Sequence, residues 1–239
     1  MGASPYQECT YTFEDACSLR SAFSSIAVLA LIRQRVGKTV VAEQDLIQGT
    51  VFVTETAHRI NAEPLKTAWP PDTQLKFCEI PEKGDEANYW QIFSVINDSV
   101  ADGDTVWLDI THSFRYLPML AYAVLQYLQD VRGIAVGGIF YGAAETLGPI
   151  KDWPGDPAQR KVPLHDLSPF LQVNQWAGAL SNFNQTGFAQ GIRELTDAKS
   201  LPLIKASKGK DQQARALKQF GIALDTWSRQ TQTCRGRKL

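Results

Sequence analysis

Cysteine is sparse and never paired in this sequence: Cys9, Cys17, Cys78 and Cys234 stand far apart, and no C-x-x-C occurs. Neither a zinc pattern nor a disulfide framework is encoded, so reduced thiols in a cytoplasmic protein without a metal centre are expected. Long apolar runs are missing too. The longest, SSIAVLALI at 24–32, is too short to span a bilayer, and Arg33 and Arg35 follow it. It is neither N-terminal enough nor preceded by the basic segment of a signal peptide. It reads as a buried helix, and no membrane partner is expected. A broad basic surface is missing from most of the chain. Residues 1–198 carry 14 basic and 23 acidic side chains, whereas 199–239 carry 10 basic and 2 acidic. The acidic body lacks the electrostatic footprint of a nucleic-acid binder. The basic end reads either as a separate unit or arm, or as a solvated helix with a loose end. What remains, at 44% hydrophobic and 21% charged, is an ordinary globular chain of one large domain or one domain plus an appendage.

The periodicities alternate. TVFVT (50–54), QLKFCEI (74–80), DTVWLDI (104–110) and the glycine-rich GIAVGGIFYGA (133–143) read as strands. Helical patterns lie between them: ETAHRINAEPLKTAW, GDEANYWQIFSVINDSV (84–100) and FRYLPMLAYAVLQYLQDV (114–131), the last with Pro118 in its first turns, where proline costs least. Strand–helix alternation predicts an α/β fold: a Rossmann-like, doubly wound parallel sheet with helices on both faces. The carboxyl ends of strands 50–54, 104–110 and 133–141 should lie on one edge. After about residue 165 no further strand is expected. Two helices broken near Gln185–Gly187, a polar linker at 201–213 and a final amphipathic helix at 211–230 complete the reading. The expected domains are 1–165 for the sheet, 166–200 for a helical connector, and 201–239 for a linker and the first helix of a further region.

In open α/β sheets, ligands bind outside the carboxyl ends of the strands. Three of those ends are polar here: TETAH, DITHSFR and YGAAE. The most loaded is DITHS, between a buried strand and a buried helix. Thr111, Ser113 and Arg115 supply donors where free helix N–H groups already suit an anion. Asp109 suits orienting the loop, by capping the turn or holding His112. The alternative is a simple helix N-cap at Ser113 or Thr111. His112 reads as a general base, a phosphate donor or a packed histidine. Glu55 could meet a base or ribose edge, or serve as a first-turn acid. Tyr141 could stack on a base, or be an ordinary strand aromatic.

On these residues the sequence resembles a known family. LDITHSFRYLPML resembles the signature of the DxTHG subgroup of CRISPR-associated Rossmann-fold (CARF) proteins. GASPYQECTYTF, VTETA, EIPEKGDEANYWQIF, IFYGAAE and PLHDLSPFLQVNQWAGALSNF resemble that family's other blocks, in order along nearly the whole chain. One departure stands out. Ser113 occupies a position where the family usually has glycine, and a side chain there narrows the approach of a ligand to the backbone. The resemblance implies a sensor of cyclic oligoadenylate, the second messenger of type III CRISPR defence, most often a ring of four adenylates. No cofactor is implied beyond that ligand. A two-fold ring suits a two-fold homodimer. Carried over residue by residue, the implied binding positions are Ser4, Tyr6, Thr54, Glu55, Thr111, His112, Ser113, Arg115, Tyr141 and Gly142.

Members of the family usually continue into a helical HEPN ribonuclease carrying R-x4-6-H. Arg160 to His165 matches that spacing, but Pro163 breaks a helix there, so no ribonuclease centre is expected in this chain. The helix at 211–230 resembles the beginning of a HEPN region, so RNA would be met only through an effector mostly absent from the sequence. A second reading is a ring nuclease that cleaves the messenger, with Thr111, His112 or Arg115 positioning the 2′-hydroxyl and stabilising charge. A third is a generic nucleotide or nucleic-acid binder, for which the basic tail is the only support.

Overall fold

The computed structural model describes residues 1–2, 4–13, 17–36, 47–113 and 116–233, and it divides into two units, Met1–Ser168 and Pro169–Leu239. Arg115 lies outside the described residues. In the first unit β1 (Cys9–Phe13) and β2 (Cys17–Ser21) precede α1 (Ser24–Val36), β3 (Gln48–Val53), α2 (Glu55–Ala68), β4 (Gln74–Glu79), α3 (Glu86–Asp98), β5 (Thr105–Asp109), α4 (Leu117–Arg132), β6 (Ala135–Gly142) and β7 (Lys161–Asp166). Strands β2-β1-β7-β6-β5 form one sheet, and β3 and β4 form a parallel pair of their own. The pairs β1/β7 and β5/β6 are parallel, whereas β1/β2 and β6/β7 are antiparallel. The result is a curled, mostly parallel sheet flanked by helices, a Rossmann-like fold.

Three strands depart from the sequence reading. CTYTF looks like loop because its apolar positions are only Cys9, Tyr11 and Phe13. Those three are the buried ones, in strict alternation. KVPLHD contains Pro163, and a proline inside a run argues against an interior strand. Yet β7 lies between β1 and β6, and the Pro163 carbonyl accepts from the Ala143 amide at 2.9 Å. The short β2 pairs with β1 alone. Thr54 also shifts: β3 stops at Val53, and Thr54 is the N-cap of α2, its hydroxyl accepting from the Ala57 amide at 3.3 Å.

The core beneath α1 is aromatic. Phe140 is fully buried and stacks on Trp107 with ring centroids 6.1 Å apart and planes 9° apart, and it meets Phe13 edge-on at 6.4 Å. The Arg35 guanidinium lies 5.0 Å from the Phe13 ring centroid and 5.3 Å from that of Phe140, and pairs with Asp166 at 3.1 Å. Gly137 makes room for this packing. The β5/β6 register slips between Val106 and Trp107, leaving Gly137 as the extra residue of a bulge. A Cβ at Gly137 would stand 2.2 Å from the Trp107 ring. Gly137→Val is therefore expected to cost about 1–3 kcal/mol through overpacking, read as a lower urea midpoint at unchanged slope.

Among its described residues the second unit holds three helices: α5 (Pro169–Thr186), α6 (Gln190–Ala206) and α7 (Gln212–Gln232). The break between α5 and α6 falls at Gly187, whose φ of 73° ends a helix at little steric cost. Ser228 of α7 is buried; it donates to the Gly187 carbonyl and accepts from the Ala189 amide, tying the turn to α7. The linker expected at 201–213 is mostly helix instead. Leu201–Ala206 are the last turns of α6 despite Pro202, and only residues 207–211 connect. Their polar composition reflects exposure, not lack of structure.

Candidate functional site

Strands β5 and β6 run parallel, so their carboxyl ends lie together. The end of β3 joins them through the N-terminus. The Met1 ammonium donates to the Phe52 carbonyl at 2.7 Å, while the charges of Asp109 and His112 act on each other and on that ammonium. The next residues form a loop over this edge. Asn61 of α2, itself buried, donates from its amide to the Gly2 carbonyl at 3.0 Å and the Ser4 carbonyl at 3.1 Å. The Tyr6 hydroxyl accepts from the Gly2 amide at 2.7 Å, and the Tyr6 ring stacks on His112 with centroids 3.9 Å apart. Ser4 stays exposed.

The β5 loop is fixed by its own first residue. Asp109 accepts from the Thr111 amide at 3.0 Å, from the Thr111 hydroxyl at 2.6 Å, and from the Ser24 hydroxyl at 2.6 Å through its other oxygen. The Thr111 hydroxyl in turn accepts from the Gly142 amide at 2.8 Å, which links the β5 loop to the end of β6. Gly142 is glycine because the approach is close: a Cβ would lie 3.0 Å from the Tyr11 ring and 3.2 Å from Thr111. Ser113 donates back to the Ile110 carbonyl at 2.9 Å, a local turn bond. Neither Thr111 nor Ser113 caps α4, whose N-cap is Tyr116, without a side-chain cap. That removes the N-cap reading of DITHS. Asp109 orients the loop as expected, but through Thr111 and Ser24, and nothing described bonds it to His112.

His112 is packed. Its Nε2 lies 3.4 Å from the Tyr11 hydroxyl, its ring lies on Tyr6, and burial lowers its pKa, partly opposed by Asp109. Burial likewise pushes the Tyr6 hydroxyl up to about 12 and the Met1 ammonium down to about 6. The sign follows from proton counts. Met1 and His112 are more easily kept neutral in the folded chain, so the stability they contribute is full above the ordinary value of the ammonium and is lost as pH falls. Unfolding free energy is expected to drop by on the order of 2 kcal/mol between about pH 8 and pH 6. Urea midpoints at three pH values check this, and acetylation of Met1 should remove most of the slope.

The remaining expected positions are more peripheral. Thr54 is buried under its own helix cap, so its side chain serves α2. Glu55 is exposed in the first turn of α2. The Tyr141 hydroxyl donates to Glu145 at 2.7 Å, and burial with that bond raises it to about 12. Arg160 and His165 do not share a helix. Arg160 donates to the Pro154, Gly155 and Glu8 carbonyls, and His165 lies on β7 opposite Tyr141. Sequence reading missed Asn61, Ser24 and Tyr11. Asn61 left one signal: an amide within the Ala57, Ala62, Leu65 stripe of α2 needs a partner off the helix. Among the described residues no group of three His, Cys, Asp or Glu could hold a metal ion, and no helix is long and apolar enough to cross a membrane.

Comparison with known proteins falls on this same edge. Residues 72–145 match the family model described as CRISPR system endoribonuclease Csx1, CARF domain. That stretch runs from β4 to just past β6 and includes the Thr111–Gly142 link. A CRISPR-associated protein of Methanocaldococcus jannaschii is 30% identical over 125 residues, 50% of this chain and 18% of that protein's length. The chain thus matches a minor part of that relative. Together the two findings make the stretch around β4, β5 and β6 similar to a CARF domain and half of the chain similar to a CRISPR-associated protein.

Proposed function

We propose that this chain is a ligand-sensing module of type III CRISPR defence, of the DxTHG kind, which binds a cyclic oligoadenylate, cyclic tetra-adenylate foremost, across a two-fold homodimer. The observation that carries the reading is the meeting of three polar loops at one sheet edge: Gly2–Tyr6 held by Asn61 and His112, Thr111–Ser113 held by Asp109, and the β6 end held by Thr111. Such prearranged backbone suits a ligand of repeated phosphates, because donors already fixed in place lose little entropy on binding. Ser4 and Arg115 supply the phosphate side, Thr111 and Ser113 hold the loop in shape, and Glu55, Tyr141 and Gly142 lie on the adenine side. A helical HEPN effector ribonuclease, joined to this module or separate from it, would read the ligand out.

Calorimetric titration with cyclic tetra-adenylate, cyclic hexa-adenylate, AMP and NAD tests this. The expected result is micromolar or tighter binding of the tetra-adenylate, one ring per two chains, with no comparable binding of AMP or NAD. Silence toward every cyclic oligoadenylate from a folded sample sinks the reading. Binding rather than ring cleavage is favoured by His112, whose ring is packed against Tyr6 and Tyr11. Conversion of the ring to linear product, lost in His112→Ala, would favour the nuclease instead.

A further inference from the structure

Strands β6 and β7 pair antiparallel, and about 2–5 residues suffice to turn between such neighbours. Residues 143–160 lie between them instead. This strap starts at the carboxyl end of β6, where Thr111 and Gly142 bond. Three short 3-10 turns shape it: Ala144–Leu147, Ile150–Asp152 and Pro157–Gln159. Main-chain carbonyls fasten it. The Trp153 indole N–H donates to the Gly148 carbonyl at 2.8 Å. The Arg160 guanidinium donates to the carbonyls of Pro154 at 2.7 Å, Glu8 at 3.2 Å and Gly155 at 3.2 Å. Thr10 of β1 ties the far end, its amide donating to the Arg160 carbonyl at 2.9 Å and its hydroxyl to the Pro157 carbonyl at 3.1 Å. A long connection with this many internal bonds is held in one shape, and such connections commonly serve a site.

The strap bears on the candidate site through β1. Ala144, Leu147 and Trp153 pack against the buried cluster of Cys9, Tyr11, Ala27 and Val162. Trp153 is the largest of the three and is itself half-buried. Tyr11 is the member of the cluster that reaches the site. Its hydroxyl lies 3.4 Å from His112 Nε2, and a Cβ at Gly142 would stand 3.0 Å from its ring. Backbone this close leaves the ring no slack on the Gly142 side, so the packing of its cluster sets where it rests. We infer that Trp153 is a positioning residue of the candidate site: through the Tyr11 cluster it sets where the His112 ring lies, and with it the loop edge that a ligand meets. The last step rests on the ligand reading proposed above; the hold on His112 does not.

Trp153→Ala, Trp153→Phe and Arg160→Lys in the full chain test this, first by NMR without ligand. The His112 ring faces Tyr6, Tyr11, the Asp109 carboxylate and the Met1 ammonium, and burial holds its titration low. In Trp153→Ala the nuclear Overhauser contact between the Tyr11 and His112 rings should weaken. His112 should then titrate at higher pH as water reaches it, the opposite direction to the loss of the Asp109 charge. Trp153→Phe should restore most of both signals by refilling the space. Arg160→Lys keeps the charge but not the fork that holds three carbonyls, so it should move both signals the same way with Trp153 intact. Calorimetry with cyclic tetra-adenylate follows, and Trp153→Ala should bind about 10-fold more weakly, with Trp153→Phe close to the wild type. An unchanged His112 titration and ring contact in Trp153→Ala overturn the inference, whatever the affinity does. A displaced His112 with wild-type affinity overturns its last step. Should Trp153→Ala fail to fold, Arg160→Lys decides by the same two signals. If the wild-type chain binds no cyclic oligoadenylate, the ligand reading fails by itself, and the NMR result still decides whether Trp153 holds His112.

Discussion

Asp109→Ala is expected to unfasten the whole loop edge, lowering stability by about 3–5 kcal/mol and abolishing detectable ligand binding. The carboxylate accepts three hydrogen bonds, from Ser24 and twice from Thr111. Removing it strands the Ser24 hydroxyl, which is fully buried, and frees Thr111 from the geometry in which it accepts from Gly142. Bonds to a charged acceptor are stronger than neutral ones, and donors left buried without a partner add their desolvation cost. Asp109→Asn should fall between, because its amide oxygen still accepts from Thr111 while its NH2 group cannot accept from the Ser24 hydroxyl. One reading separates this from ordinary destabilisation. The Asp109 charge raises the pKa of His112 against the effect of burial. In Asp109→Asn, which should still fold, the His112 ring protons should titrate at lower pH by NMR. An unchanged His112 titration, with wild-type ligand affinity, would show that Asp109 does not govern the site.

Phe140→Ala is the second large effect, a loss of about 3–5 kcal/mol. Phe140 has no exposed surface and is packed among Trp107, Phe13 and the Arg35 guanidinium. Truncation opens a cavity between the Trp107 and Phe13 rings. Arg35 also loses a cation–π partner while keeping Asp166. Phe140→Leu should recover more than half of the loss by refilling most of the volume. Urea unfolding of both variants checks the ranking, and equal losses in the two would mean that volume is not what Phe140 supplies. Residual ligand binding at low temperature, where the variant remains folded, distinguishes this core defect from the site defect of Asp109.

Sequence alone determined the alternating α/β plan, because strand and helix periods are local properties. TVFVT, QLKFCEI, DTVWLDI and the glycine-rich run became β3, β4, β5 and β6 to within two residues at either end. The polar ends of those strands were legible for the same reason, since a polar block between two apolar elements has few places to go. What the sequence did not determine depends on partners distant in the chain. Pro163 is tolerated in β7 only because β1 and β6 pair around it, and Cys9, Tyr11 and Phe13 read as strand only once Val162 and Phe140 lie beneath them. The roles within the site were likewise decided by tertiary structure. Thr111 and Ser113 each had a plausible cap to make, but Gly142, 31 residues away, takes the Thr111 hydroxyl. Asn61, some 59 residues from Gly2, holds a loop with which it shares no local pattern. Periodicity records which face of an element is buried; it carries no record of what lies across from it, and hydrogen bonds between distant segments are decided there.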